Sequence, residues 1–403
     1  MENKVDDFDI VIIGASISGN YLATLLLNKG FKIAIIEEHN EIGLPLQCAG
    51  IVSKKLKKLV NFPDEVILNR VKFAKLVSPS GKSINLSGDE KPFIIDRISF
   101  DQYFYNSIKN SKQVQIFLNE KFKKFQYIGE REKLILVETN KRKLRSKILV
   151  GCDGPLSSVG RLLNQRNQIL YASQIRVKGK FPNNEAIMYF HPDWRELFGW
   201  IVPEGYGNYR VGLAASNGIP SKFRKFKYIL NIKDSQIIDR QGGIIPYGLM
   251  NKIAFNNILL LGDAAGQVKA TTGGGIIMLL TAAKYAAICI IKALKSQDYS
   301  QDFLIRFYEL PCKNTIGKEL KIHYLIRIFL ENLKAKEYDN LFRIMKSNEI
   351  EKIISIYGDM DFPRRLIIKL LGNYYFLKFL LNFALMEINL YFLLNQTLIY
   401  IFK

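Results

Sequence analysis

Phe8–Ile13, an apolar run rich in β-branched residues, ends on the string Gly14-Ala15-Ser16-Ile17-Ser18-Gly19. A helical pattern over Ser18–Lys29 and a second short apolar run, Lys32–Ile36, follow, so the chain is expected to open as a βαβ unit. In the dinucleotide fingerprint the first glycine makes the tight turn and the second lets the backbone approach a pyrophosphate. The third lets helix and strand pack closely. The helix N-terminus then offers unpaired N–H groups and a partial positive charge to the phosphates. Gly14 and Gly19 hold the first and third places, while Ser16 stands at the second, where its hydroxyl is small enough to be tolerated. Glu37 ends the second strand twenty-three residues after Gly14, where a carboxylate can accept ribose hydroxyls. Strand, glycines, helix and carboxylate in this register predict a bound dinucleotide.

A second half-site lies more than two hundred residues later. Leu260-Leu261-Gly262-Asp263-Ala264-Ala265-Gly266 places a carboxylate after a buried strand. Thr272-Gly273-Gly274-Gly275-Ile276 then opens a helix running to about Lys295. An Asp there can meet a ribityl or ribose hydroxyl, and a glycine turn can set a helix N-terminus against an electron-accepting ring. The pair of half-sites fits an elongated FAD better than an ordinary NAD dehydrogenase site; a purely structural strand–turn–helix is the plain alternative.

Between the half-sites the chain alternates strands with a helix near Phe100–Lys109, then turns β-rich from about Tyr171 to Ala215, and beyond Tyr299 it is helical. The expected fold class is therefore α/β (α+β), a Rossmann-type FAD-binding domain with an inserted antiparallel-sheet substrate domain and a C-terminal helical region. The expected divisions are residues 1–70, 95–165 and 250–298 for the FAD domain, 71–94 and 166–249 for the substrate domain, and 299–403 for the helical region. With 48% apolar and 24% charged residues, disorder, collagen and coiled coil are excluded. Four scattered cysteines without CxxC spacing point to a reducing compartment, with no disulfide scaffold and no metal site. The acidic stretch before the first strand lacks the basic start and apolar run of a signal peptide.

These residues resemble the flavoprotein superfamily of the aromatic hydroxylases and, within it, the geranylgeranyl reductase family. Pro45-Leu46-Gln47-Cys48-Ala49-Gly50-Ile51-Val52-Ser53 resembles that family's Cys-Ala-Gly loop. Asp96-Arg97-Ile98-Ser99-Phe100-Asp101 is similar to its DR…FD element, and Gly151-Cys152-Asp153-Gly154 to its DG motif. Phe198-Gly199-Trp200-Ile201-Val202-Pro203 resembles the segment that lines the family's substrate cavity, with Phe for Tyr and Val for Phe. Gly266 stands where hydroxylases usually carry His, and flavin halogenases have a paired-Trp segment where this chain has only Trp200.

The resemblance implies FAD contacts at Ser18, Glu37, Cys48, Ala49, Gly50, Arg97, Asp263, Gly275 and Ile276, with a further contact near Glu120. It implies substrate contacts at Phe198, Trp200 and Pro203, and reduction of isoprenoid C=C bonds in geranylgeranyl chains of archaeal-type phospholipids or their precursors. Phe190 and Tyr189 are further cavity candidates, and ordinary sheet core is the alternative for this aromatic set. Cys48 is the candidate catalytic residue. A thiol, mostly protonated at neutral pH, can donate a proton beside the ring, or it can be merely a small residue that fits there. The electron donor, NAD(P)H or a small ferredoxin-like carrier protein, stays open. Competing readings are a flavin dehydrogenase passing electrons to quinone, an FAD monooxygenase, and a prenyl-lipid-binding protein without redox activity.

A net charge of +21 with a mean hydropathy of +0.01 calls for an anionic partner, nucleic acid or membrane, unless biased base composition accounts for the lysines. The C-terminal stretch favours the membrane over nucleic acid. Residues 362–403 hold Arg364, Arg365, Lys369, Lys378 and Lys403 against Glu387 alone. Ile388–Phe402 is an uncharged run of 15 residues, whereas a span needs about 20. A cytoplasmic enzyme held peripherally on the inner face of the cell membrane is expected, or helices packed over the substrate cavity, or both.

Overall fold

The computed structural model describes residues 5–88, 91–129, 134–347 and 349–386. Strand Asp6–Ile13 lies between Ile33–Ile36 and Lys143–Gly151, parallel to both. Val114–Phe117 continues the sheet beyond Ile33–Ile36, and Ile258–Leu260 beyond Lys143–Gly151, again in parallel. Ile10–Ile13, Ile33–Ile36 and Ile148–Val150 are buried throughout, as strands are when helices cover both faces of a parallel sheet. Phe122–Ile128 and Leu134–Thr139 add an antiparallel meander, and Ala254–Phe255 forms a hairpin with Ile258–Leu260.

Helix Ile17–Leu26 packs against helices Arg97–Ile108 and Ile276–Ser296. The last is, among the described residues, the one helix long and apolar enough to cross a membrane, but 67% of that stretch is buried inside the protein. It is the central core helix.

A seven-stranded sheet forms the second layer, in the order Ile237–Pro246, Ile169–Lys178, Asn208–Ala215, Gly199–Gly205, Glu185–Tyr189, Phe73–Val77, Ser83–Ser87. Only Glu185–Tyr189 and Phe73–Val77 pair in parallel. One face is covered by helix Ile219–Ile229, which the β-rich reading of this stretch did not anticipate; Pro220 in its first turn and the inward Phe223 and Phe226 are its sequence signals. Ile51–Val52, Phe93–Ile95 and Ile67–Arg70 make a small third sheet.

Among the described residues from Gln301 to Met386 the chain is helical, as expected, through helices Lys318–Asn332, Ala335–Ser347, Ile350–Tyr357, Arg364–Leu371 and Tyr374–Met386. Helix Ile350–Tyr357 covers the outer strand Ser83–Ser87. Glu351 Oε1 accepts the Asn85 N–H at 2.7 Å and Ser355 Oγ the Ser87 N–H at 3.2 Å, which removes an open sheet edge. The run Ile388–Phe402, with Glu387 and Lys403, lies outside the described residues.

Candidate cofactor cleft and apolar pocket

The carboxyl ends of strands Asp6–Ile13 and Lys143–Gly151 part at a cleft, where ligands of open α/β sheets bind. Gly14 turns there at φ +100°, and a side chain on it would run into the Cys152 carbonyl. Gly19 lies so close to the Gly14 carbonyl that a Cβ would clash. The two glycines therefore do what the fingerprint requires, one at the cleft and one beneath it. Ser16 stands at the N-terminal boundary of the helix without capping it and donates its hydroxyl to Asp101 Oδ2 at 2.8 Å, so this hydroxyl is engaged by the protein itself. Glu37 lines the cleft with Oε2 accepting the Ala15 N–H (2.8 Å) and Oε1 held by His39 (2.6 Å to Nδ1).

The cleft, about 530 Å³, continues past Arg97, Glu120 and Arg161 to Asp263. Asp96 caps helix Arg97–Ile108 through the Ile98 N–H, fixing where Arg97 emerges. The Arg97–Asp101 pair, 3.0 Å apart, then aims the guanidinium. Burial opposes the charge of Arg97, but Asp101 and Cys48 beside it more than offset this and hold it above its ordinary value. Asp153 caps helix Ser158–Leu162 by accepting the Ser157 hydroxyl and the Ser158 and Val159 N–H groups, which explains the DG motif as a turn former. Burial raises Asp263 to about 6, against a smaller opposite pull from Arg97. Glu120 reaches the cleft, but its carboxylate is committed to Arg142 (2.9 Å) and Thr139 (2.6 Å). Ser18 is buried against Gly262 below the cleft rather than on its wall. Gly275 and Ile276 begin the core helix, and a Cβ on Gly275 would stand 3.4 Å from Asp263 Oδ1.

This donor set fits FAD. The helix end at Ser16–Ile17 and Arg97 suit phosphates, Glu37 suits a ribose diol, and Asp263 suits a further hydroxyl.

A second cavity, about 420 Å³ and mostly apolar, lies on the face of the seven-stranded sheet opposite helix Ile219–Ile229. Phe198, Trp200 and Val202 point into it at the period of a strand. Pro203, one residue out of phase, does not line it, unlike the other two expected substrate contacts. Tyr189 packs on the other face against Phe226, and Phe190 packs behind Phe198 at 5.8 Å, so neither lines the wall. Cys48, Ala49 and Gly50 form one side and Thr272–Gly274 another.

Gln47 and Cys48 line both cavities, so the apolar pocket meets the cofactor cleft at Cys48. Cys48 is half-buried, and its sulfur accepts the Gly50 N–H at 3.3 Å; the other three cysteines are buried and all four are free.

Two features of the pocket escaped sequence reasoning. Gln174 accepts the Trp200 indole N–H at 2.8 Å and donates to Gln241 (2.6 Å) and the Cys48 carbonyl (3.4 Å), so it sets the indole and the loop together. A buried amide among the apolar residues of strand Ile169–Lys178 was its only signal. The second is the roof, where Ile354 and Leu366 come from helices Ile350–Tyr357 and Arg364–Leu371 and Gly358 and Met360 from the connection between them.

Residues 12–52 match the NAD(P)-binding Rossmann-like domain family. The chain is 29% identical over 373 residues to digeranylgeranylglycerophospholipid reductase 3 of Methanosphaera stadtmanae, covering 87% of this chain and 94% of that one. It is 30% identical over 388 residues to an uncharacterized protein of Methanocaldococcus jannaschii, covering 91% and 96%. Among solved structures it resembles a geranylgeranyl bacteriochlorophyll reductase-like protein of Thermoplasma acidophilum, with a TM-score of 0.79 at 21% identity, over 92% of this chain and 97% of that one. It also shares its fold with a probable FAD-dependent monooxygenase of Pseudomonas aeruginosa, at a TM-score of 0.63 and 18% identity, over 84% and 100%. Similarity that runs nearly end to end in both partners, reaching proteins of that kind by sequence and by structure, means that this chain belongs to the geranylgeranyl reductase family of flavin-dependent oxidoreductases.

Proposed function

We propose that this protein reduces isolated C=C bonds in the geranylgeranyl chains of archaeal-type membrane phospholipids or their precursors. The observation that carries this reading is the meeting of an apolar pocket with the FAD cleft at Cys48. An isolated trisubstituted alkene has no polar handle, so it must be held by shape and grease and kept from water. Phe198, Trp200, Val202 and Ile245 supply such walls. FAD, when bound and reduced, supplies a hydride to one alkene carbon. The second carbon needs a proton, and Cys48, the half-exposed thiol at the junction, is placed to give it. Arg97 and Asp263 would hold the cofactor's polar groups, and Gln174 would keep Trp200 and the Cys48 loop in register. Electrons reach the flavin from a nicotinamide or a ferredoxin-like carrier.

The enzyme works peripherally on the inner face of the cell membrane, from which it draws its lipid. Support for this comes from the C-terminal helices that roof the pocket. Together with helix Tyr374–Met386, which follows them, they expose Ile368, Tyr374, Tyr375, Leu377 and Leu381 and carry Arg365, Lys369 and Lys378. Grease beside basic charge is the composition of an interfacial helix.

The decisive experiment is anaerobic. Holoprotein bleached with dithionite should be reoxidised by a geranylgeranyl phospholipid, with the saturated product detected by mass spectrometry. Reoxidation by quinone or oxygen only would overturn the reading.

A further inference from the structure

Asp361 is fully buried in the short connection between helices Ile350–Tyr357 and Arg364–Leu371, far along the chain from the cofactor motifs. Its Oδ1 accepts Lys269 Nζ at 2.6 Å, and its Oδ2 lies 3.5 Å from Lys55 Nζ. Lys55 also reaches Asp359 Oδ1 at 2.8 Å, and Lys269 donates to the Met360 carbonyl at 2.9 Å. Two lysines and two carboxylates thus form a compact, charge-balanced cluster. The Asp361 carbonyl lies 3.1 Å from His323 Nε2, and His323 Nδ1 lies 2.6 Å from Thr271 Oγ1. Burial, with Lys269 adding to it, lowers His323 to about 4, so the ring stays neutral beside the cluster.

The lysines adjoin two different segments that line the pocket, the Cys48 stretch and the glycine turn. Lys269 is the base of the glycine turn: its carbonyl accepts the Gly273 N–H at 2.8 Å and its N–H donates to the Gly274 carbonyl at 3.2 Å. Its side chain also runs beneath Gly274, with Cε 3.1 Å from where a Cβ would stand. Lys55 follows the Cys48–Ser53 stretch in the chain. Both the Cys48 stretch and the turn line the apolar pocket, as do Asp359 and Met360. Stability alone is a poor reason for such a cluster, since buried ion pairs replaced by well-packed apolar groups often leave stability unchanged or higher. What apolar groups do not reproduce is a fixed, directional link between three separate pieces of chain.

We propose that Asp361 is a positioning residue for alkene reduction. By drawing Lys269 and Lys55 to one carboxylate, it sets the gap between the Cys48 stretch and the glycine turn, and so makes the C-terminal helices part of the active site. The inference rests on the prenyl-lipid reading of the pocket, and its test separates the two.

The test uses flavin-loaded Asp361→Asn and the paired variant Lys269→Met with Asp361→Leu, which leaves Lys55 balanced by Asp359. Anaerobic reoxidation of the dithionite-reduced protein by a geranylgeranyl phospholipid is measured beside reoxidation by oxygen. The rate of Cys48 alkylation by iodoacetamide, which needs no lipid, reports the gap directly. Both variants should lose lipid-dependent reoxidation by on the order of tenfold or more. Oxygen-dependent reoxidation should hold, and Cys48 should alkylate several-fold faster. The paired variant should do so while melting near the wild-type temperature, which a merely structural role would not produce. Wild-type lipid-dependent reoxidation or wild-type alkylation in the stably folded paired variant overturns the proposal. Failure of the lipid to reoxidise the wild type overturns the prenyl-lipid reading instead, and alkylation then decides the clamp.

Discussion

Cys48 and Asp263 show how differently two site residues answer to sequence and to structure. Cys48 draws attention through its Cys-Ala-Gly string, but its place as the thiol shared by both cavities follows from the packing of two sheets. Cys48→Ala should keep its FAD and slow single-turnover reoxidation by a prenyl lipid by roughly 100-fold, the scale of a lost general acid. An unchanged rate would leave Cys48 as a space-filling residue. Asp263 is legible as a strand-end carboxylate, whereas its elevation to about 6 comes from the burial that the fold imposes. A folded-state value above the unfolded ~3.9 means that folding takes up a proton. The contribution is complete below pH ~4 and is lost as pH rises through about 6. Flavin-free Asp263→Asn should therefore gain stability over wild type between these pH values, by at most roughly 3 kcal/mol, in denaturant titrations across pH 4–7. A pH-independent difference would mean that the carboxyl ionises normally.

Among the elements, those with a strong local period were readable and those defined by a partner were not. The strands at Asp6–Ile13, Ile33–Ile36 and Ile258–Leu260 and the helix Ile276–Ser296 announce themselves as apolar runs, bounded by glycines at Gly14, Gly262 and Gly273–Gly275 or by the carboxylate Glu37. Phe122–Ile128 pairs on one side only and alternates weakly, so its strand character depends on Leu134–Thr139 beside it. Strand pairing also explains a glycine with no motif around it. Gly212 lies opposite Trp200, and a Cβ there would stand 2.5 Å from the indole Cζ2. Gly212→Ala should push the indole into the pocket, raising KM for the lipid several-fold with flavin content unchanged. Loss of flavin or of folding in this variant would show that the indole is part of the frame rather than of the pocket wall.

At the scale of the molecule, the C-terminal helices join the proposed chemistry to the proposed membrane contact. Helices Ile350–Tyr357 and Arg364–Leu371 close the pocket, and helix Tyr374–Met386 after them exposes Tyr374, Tyr375, Leu377 and Leu381. Each basic group near an anionic surface contributes about 1 kcal/mol, and salt screens the attraction. The protein should float with anionic liposomes at low salt. Replacement of Tyr374, Leu377 and Leu381 by Ser should release it while leaving its flavin spectrum intact. Persistent flotation of that variant would move the membrane contact elsewhere.

Local chemistry was enough to announce a flavin protein of this family. Glycine spacing, a carboxylate at a strand end and the Cys-Ala-Gly string are short-range constraints, written in consecutive residues because a turn or helix end is itself a short-range object. The pocket roof, the Gln174 bridge, the direction of Pro203 and the Asp361 cluster are of another kind. Each depends on segments far apart in sequence meeting at ångström distances, as Lys55 and Lys269 do at Asp361. A lone buried aspartate or an amide in a strand has no local pattern that foretells its partner. Packing and desolvation in the folded chain assign those partners, and with them the shape of the site.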